Sequence, residues 1–289
     1  MASIVELVAQ NKHAPFFLLD VSPPRGGEPS LLEPLLHVEA DAFSVAYNPS
    51  KSVRVDSLAL AHFLQTKTGR PSVFNLATRD MNRLALQSHL LGAQLLGVAN
   101  VLVVKGDAFN EKELALVKPV DDVRPTELIA AIAAMNKGLD YRGLRLRSPT
   151  AFCVGATVDP SRPLQAEARL ARRKVDAGAR FLITQSVYRA NQAEAFLAAF
   201  AQEGGRPEET PVLFGLPILV KDGVLFGDVP EPVQRDLAAG RPGVDMALEQ
   251  LHAFRQCGLN TFYLVPPILK GGVRDYEATS EFIQRAKAS

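Results

Sequence analysis

Eight short apolar runs, separated by segments of helical period, predict an α/β chain folded as one (β/α)8 TIM barrel with a short N-terminal helix. The runs are continuously apolar rather than alternating, as strands covered on both faces are. The Gly-x-Gly-x-x-Gly turn of an open doubly wound sheet is missing after the first run, which passes into Pro23-Pro24. A length of 289 residues suits one such barrel, and no linker interrupts it, so a single domain is expected over 1–289.

In chain order, residues 1–12 read as a short amphipathic helix. Glu6 interrupts its apolar residues and no basic stretch precedes them, which argues against a secretion signal. The first strand is expected at 16–21, followed by a helical stretch at 31–37. The second is at 43–47 with a helix at 56–65, and the third at 72–77. Beyond it, Leu84, Leu91, Leu95 and Val98 read as the apolar face of the next helix. The fourth, fifth and sixth strands fall at 101–104, 152–156 and 181–184. Ala193, Phe196, Leu197 and Phe200 then repeat at i, i+3, i+4 and i+7, one face of a helix. Strands at 212–216 and 261–265 complete the set. The loops at 145–150 and 204–210 are of ordinary length, whereas 108–124 is longer and charged and reads as a cover or lid.

Composition narrows the function. With 32 basic and 31 acidic side chains, net charge +1, the chain lacks the basic excess of a nucleic-acid binder or of a protein drawn to acidic membranes. No run approaches the roughly 18 apolar residues that span a bilayer, and a cytoplasmic location is expected. Cys153 and Cys257 form no CxxC pair and read as buried free thiols. His13, His37, His62, His89 and His252 show no metal-ligand spacing, so no metal is expected.

In a barrel of this kind chemistry sits at the C-terminal ends of the strands. The first ends in Asp20, the second in Tyr47-Asn48-Pro49, the third in Thr78-Arg79-Asp80, the fourth in Lys105-Gly106-Asp107, and the sixth in Gln185. Gly106 permits positive φ or close backbone approach. A carboxylate at Asp107 suits the N3–H and 2-amino edge of a pterin, although a capping aspartate fits the sequence equally well. Asp20 closes an apolar strand, where desolvation would raise its pKa as a general acid requires; a turn residue before the prolines is the alternative. The Gln185 amide suits a ring lactam or a plain rim position. Lys174 reads as a solvated lysine near a helix C-terminus or as a phosphate contact.

Several segments carry a resemblance. Thr78-Arg79-Asp80-Met81-Asn82, Leu86-Gln87-Ser88, Leu90-Leu91-Gly92-Ala93, the run from Asn100 to Asp107, Asn136-Lys137-Gly138-Leu139, Val154-Gly155-Ala156, and Lys174-Val175-Asp176-Ala177-Gly178-Ala179 leading to Ile183-Thr184-Gln185 resemble the methylenetetrahydrofolate reductase family, in its bacterial branch associated with homocysteine methyltransferases. The resemblance spans roughly 16–276. It implies an NAD(P)H-dependent flavoprotein in which NADH or NADPH reduces FAD and the flavin passes hydride to 5,10-methylenetetrahydrofolate, within one-carbon metabolism and methionine biosynthesis. It implies Asp20 in place of the family's glutamate acid, and Asp107, Gln185 and Asn48 on the folate. Asn75, Thr78, Arg79, Asp80, Lys105, Glu167 and Lys174 fall around the flavin. Four departures bear on that flavin: Asn75 for a common histidine, Lys105 for a common arginine, Leu170 for a polar residue, and Val158-Asp159-Pro160 for a His-Pro-Glu segment.

Other readings compete. The same site could run in the oxidative direction on methyltetrahydrofolate. Hydride could pass directly from nicotinamide without flavin. The chain could be a homo-oligomer or a catalytically weakened partner of a methyltransferase. An aldolase-type barrel would need a Schiff-base lysine, for which only Lys105 ends a strand.

Overall fold

The computed structural model describes residues 2–11, 14–225 and 227–288. Its strands are β1 (Phe16–Val21), β2 (Ala42–Val45), β3 (Ser72–Ala77), β4 (Asn100–Val104), β5 (Cys153–Val158), β6 (Phe181–Ser186), β7 (Val212–Pro217) and β8 (Thr261–Val265). Each pairs in parallel with the next, and β8 pairs with β1, so the sheet closes into a barrel. The helices are α1 (Ile4–Gln10), α2 (Glu33–Leu36), α3 (Ser57–Thr68), α4 (Arg83–Leu95), α5 (Glu111–Leu114), α6 (Pro125–Met135), α7 (Leu164–Asp176), α8 (Ala190–Gln202), α9 (Glu231–Ala238), α10 (Gly243–Gln256) and α11 (Tyr276–Ala288).

Strand alternation sorts the apolar residues into two cores. Phe17, Leu19, Phe43, Phe74, Val101, Phe214 and Phe262 face outward and join the inner faces of the helices. Phe16, Leu18, Ala42, Val73, Leu102, Phe181 and Leu213 face inward and fill the barrel. Each of the valines, leucines and phenylalanines, once buried, contributes about 1.5–3 kcal/mol. Gly155 makes room inside: a Cβ there would stand 2.3 Å from the Phe181 ring. Ile4 of α1 joins the inner core, and its N–H donates to Asn100 Oδ1 at 3.0 Å. The N-terminal helix thus plugs the end of the barrel where the strands begin. Met1 and Lys12, included in its expected span, lie outside the described residues.

Two expectations are corrected. The buried face of α4 is Leu86, Leu90 and Ala93, while Leu84, Leu91 and Leu95 are 62%, 42% and 88% exposed. The helix is apolar on both sides, and period alone does not say which side meets the sheet. Cys153 is buried as expected, but Cys257 is exposed; it follows the last residue of α10, where the chain leaves the core.

Candidate active site

On the side of the mouth formed by β1 and β8, Asp20 is buried but not alone. Arg274 Nη2 donates to its Oδ2 at 2.5 Å and Tyr263 Oη to its Oδ1 at 2.6 Å. The expected isolated carboxyl in an apolar pocket is therefore corrected to one half of a buried ion pair. The strand supplies the apolar walls, but a loop more than 250 residues away supplies the guanidinium. Burial, reinforced by the Asp20 charge, raises the Tyr263 phenol well above its usual range, so it keeps its proton and acts as a fixed donor.

Arg274 also donates to Ser22 Oγ, from Nε at 3.2 Å and Nη2 at 3.0 Å, while its buried Nη1 has no partner. Arg54 Nη1 donates to the Pro23 carbonyl at 2.9 Å. The Ser22-Pro23-Pro24-Arg25 turn is thus bracketed by two arginines and carries a third. Burial first, then the charges of Arg25 and Arg274, lower the Arg54 pKa. This rim is short of anions.

Between β2, β3 and β4 the polar groups are bound to one another. Both Asp80 oxygens accept from Arg79, from Nε and Nη2, each at 2.7 Å. Arg79 Nη1 donates to the Asp107 carbonyl at 2.7 Å. Gly106 has φ +85°, which glycine alone adopts readily. Asp107 itself is exposed, and its carboxylate accepts no hydrogen bond from the described residues. Nearby, Asn48, Ser50 and Lys51 all have positive φ, a cluster of strained backbone at the end of β2. Deeper in the mouth, Asn75 Oδ1 accepts from Ser44 Oγ at 3.3 Å, both buried.

Gln185 occupies a β-bulge. The pairing of β6 with β7 steps from Ile183–Leu213 to Ser186–Gly215, leaving Thr184 and Gln185 opposite one residue. Gly215 admits the bulge, since a Cβ there would lie 2.6 Å from the Gln185 carbonyl oxygen. The Gln185 side chain is exposed and lines a cleft of about 670 Å³ with Thr78, Lys105, Leu170 and Lys174. Arg124, Arg162 and Arg173 add cations to this cleft, against the acids Asp121, Asp159 and Glu167. Its size is that of a small-molecule site, and its charge suits an anion.

Lys174 is not the solvated lysine of the plainer reading. It is 8% exposed, its Nζ donates to the Thr157 carbonyl at 2.5 Å, and burial lowers its pKa. Glu167, two turns earlier on the same face of α7, accepts from the Asp159 N–H at 2.9 Å and so fixes the loop after β5. The charged 108–124 segment carries α5, capped by Asn110, and its Val120 N–H donates to the Arg79 carbonyl at 2.7 Å. Asp20, Asn48, Asn75, Thr78, Arg79, Asp80, Lys105, Asp107 and Gln185 all come to the C-terminal end of the strands, and Glu167 and Lys174 join them from α7. Sequence reasoning missed Tyr263 and Arg274. Tyr263 could have been found as the one tyrosine in the eighth apolar run; Arg274, in a glycine-rich loop, had no local signal. Among the described residues no cluster of His, Cys, Asp or Glu could hold a metal ion, and no helix is long and apolar enough to cross a membrane.

A closed parallel barrel whose polar groups gather at one mouth defines a (β/α)8 protein with a candidate ligand site at the strand ends. The chain belongs to the methylenetetrahydrofolate reductase family, whose sequence model matches residues 5–221. No curated protein sequence matches it. Among solved structures it is similar to an uncharacterized protein from Clostridium thermocellum that binds two copies of 5-methyl-5,6,7,8-tetrahydrofolic acid. The TM-score is 0.66 at 14% identity, over 99% of this chain and 98% of that one, a likeness of fold.

Proposed function

We propose that this protein reduces 5,10-methylenetetrahydrofolate to 5-methyltetrahydrofolate with NAD(P)H, using FAD, in one-carbon and methionine metabolism. The observation that carries the reading is Asp107: an acceptor with its backbone held and its carboxylate unclaimed, beside a cationic cleft. Family membership supports it, as does the methyltetrahydrofolate bound by the structural relative.

In this reading Asp107 accepts from the pterin N3–H and 2-amino group, and the Gln185 amide meets the lactam. The arginines at 25 and 54 match the carboxylates of the folate tail. Asp20 holds the place of the family's acid, its carboxylate oriented by Tyr263 and Arg274, and would pass on to the ring nitrogen a proton taken up from solvent. The cleft fits FAD in charge and size: Lys105, Arg124, Arg162, Arg173 and Lys174 would face its diphosphate, with Thr78 at the edge. A flavin held there would supply the two-electron relay from nicotinamide to the folate carbon.

Two observations favour direct transfer from nicotinamide as a second reading. The Asn75 amide oxygen is already taken by Ser44, and Leu170 lines the cleft without a polar group. An absorbance spectrum of the purified protein, before and after adding FAD, separates the two. The expected result is a visible flavin band and NAD(P)H-dependent turnover that rises with FAD; full turnover in flavin-free protein selects the second reading. Absence of any methylene- or methyltetrahydrofolate binding by titration calorimetry would sink both.

A further inference from the structure

The turn that carries Asp107 is moulded around Arg79. Gly106 lies so close that a Cβ there would meet the Arg79 Cβ at 3.2 Å. The guanidinium donates to the Asp107 carbonyl and stacks 4.2 Å from the centroid of the Phe109 ring. Lys51 reaches the same turn from the strained end of β2: its Nζ donates to the Ala108 carbonyl at 3.1 Å and pairs with Glu113 at 2.7 Å. Two consecutive peptide groups, at Asp107 and Ala108, are therefore held by side chains from two other strand ends. Arg79 has given its remaining fork to Asp80 and is 6% exposed, so it has little left to offer a ligand.

We propose that Arg79 is a positioning residue for folate recognition: it acts through the Asp107 turn, with Lys51 in support, and fixes where the Asp107 carboxylate stands. This rests on the reading of Asp107 as the pterin anchor. Lysine is a poor substitute at 79, because one ammonium cannot fork to Asp80, reach the Asp107 carbonyl and stack on Phe109 together.

The test is a double-mutant cycle read as the dissociation constant for 5-methyltetrahydrofolate, measured on the whole chain. Arg79→Met is expected to weaken binding about tenfold, with Arg79→Lys restoring only part. In an Asp107→Ala background Arg79→Met should add no more than about twofold, because the group it positions is gone. A general loosening of the site would instead carry over undiminished, and that result overturns the proposal, as does unchanged binding by Arg79→Met. Should Arg79→Met fail to fold, Lys51→Met takes its place, with a loss of about threefold expected that vanishes in Asp107→Ala; no loss overturns the proposal. If Asp107→Ala alone leaves binding unchanged, the anchor reading falls and the proposal with it. A loss from Asp107→Ala with none from Arg79→Met removes the proposal alone.

Discussion

Asp20 and Asp107 end two strands of the same barrel, and the protein treats them oppositely. Asp20 is buried and already accepts from Tyr263 and Arg274. Asp107 is exposed, its carboxylate free and only its backbone held. A buried carboxylate must be satisfied by the protein, because its desolvation would otherwise cost several kcal/mol. An exposed one is kept satisfied by water until a ligand replaces it. The first is thus a stability element that chemistry can use, and the second, in the proposed function, is a recognition element that stability can ignore.

The largest expected effect tests the closed side. Arg274→Leu leaves Asp20 buried without its cation and should lower unfolding free energy in urea by about 3–5 kcal/mol. Wild-type stability in that variant would show that Asp20 finds water, and the contrast would dissolve. On the open side, Asp107→Ala should cost about 1.5–3 kcal/mol of methyltetrahydrofolate binding while stability stays within about 0.5 kcal/mol of wild type. A melting temperature that drops together with affinity would place Asp107 among the structural carboxylates.

Gly215→Ala probes what holds Gln185. The new methyl would collide with the bulge backbone, at a cost of about 1–3 kcal/mol, and folate affinity should fall with it. Intact affinity in a destabilised variant would separate Gln185 from recognition. The smallest effect concerns Tyr47. Burial, then the Asp80 charge, push its phenol up to about 12, so the folded chain keeps a proton that an unfolded tyrosine loses near pH 10. That contribution is complete below about pH 10 and is lost as pH rises towards 12. The wild-type melting temperature should therefore fall more steeply across that window than that of Tyr47→Phe; parallel curves would mean that folding does not raise the Tyr47 phenol.

The sequence by itself determined the barrel. Strands buried on both faces must be continuously apolar, so β1, β3 and β8 were legible to the residue. The ends of β5 and β6 were not, because Thr157, Gln185 and Ser186 lie where strands turn polar at the mouth, and the bulge depends on Gly215 across the sheet. The strand-end rule also placed Asp20, Asp107 and Gln185 at one mouth, since one end of a closed barrel gathers every strand terminus. Only the tertiary structure decided what those residues touch. Arg274 reaches Asp20 from a loop beyond the eighth strand, and Arg79 donates to the Asp107 carbonyl across the turn after β4. The outer face of α4 stays exposed although its leucines have the right period. Period and composition record which residues prefer to leave water; they do not record which partner, far along the chain, arrives to meet them.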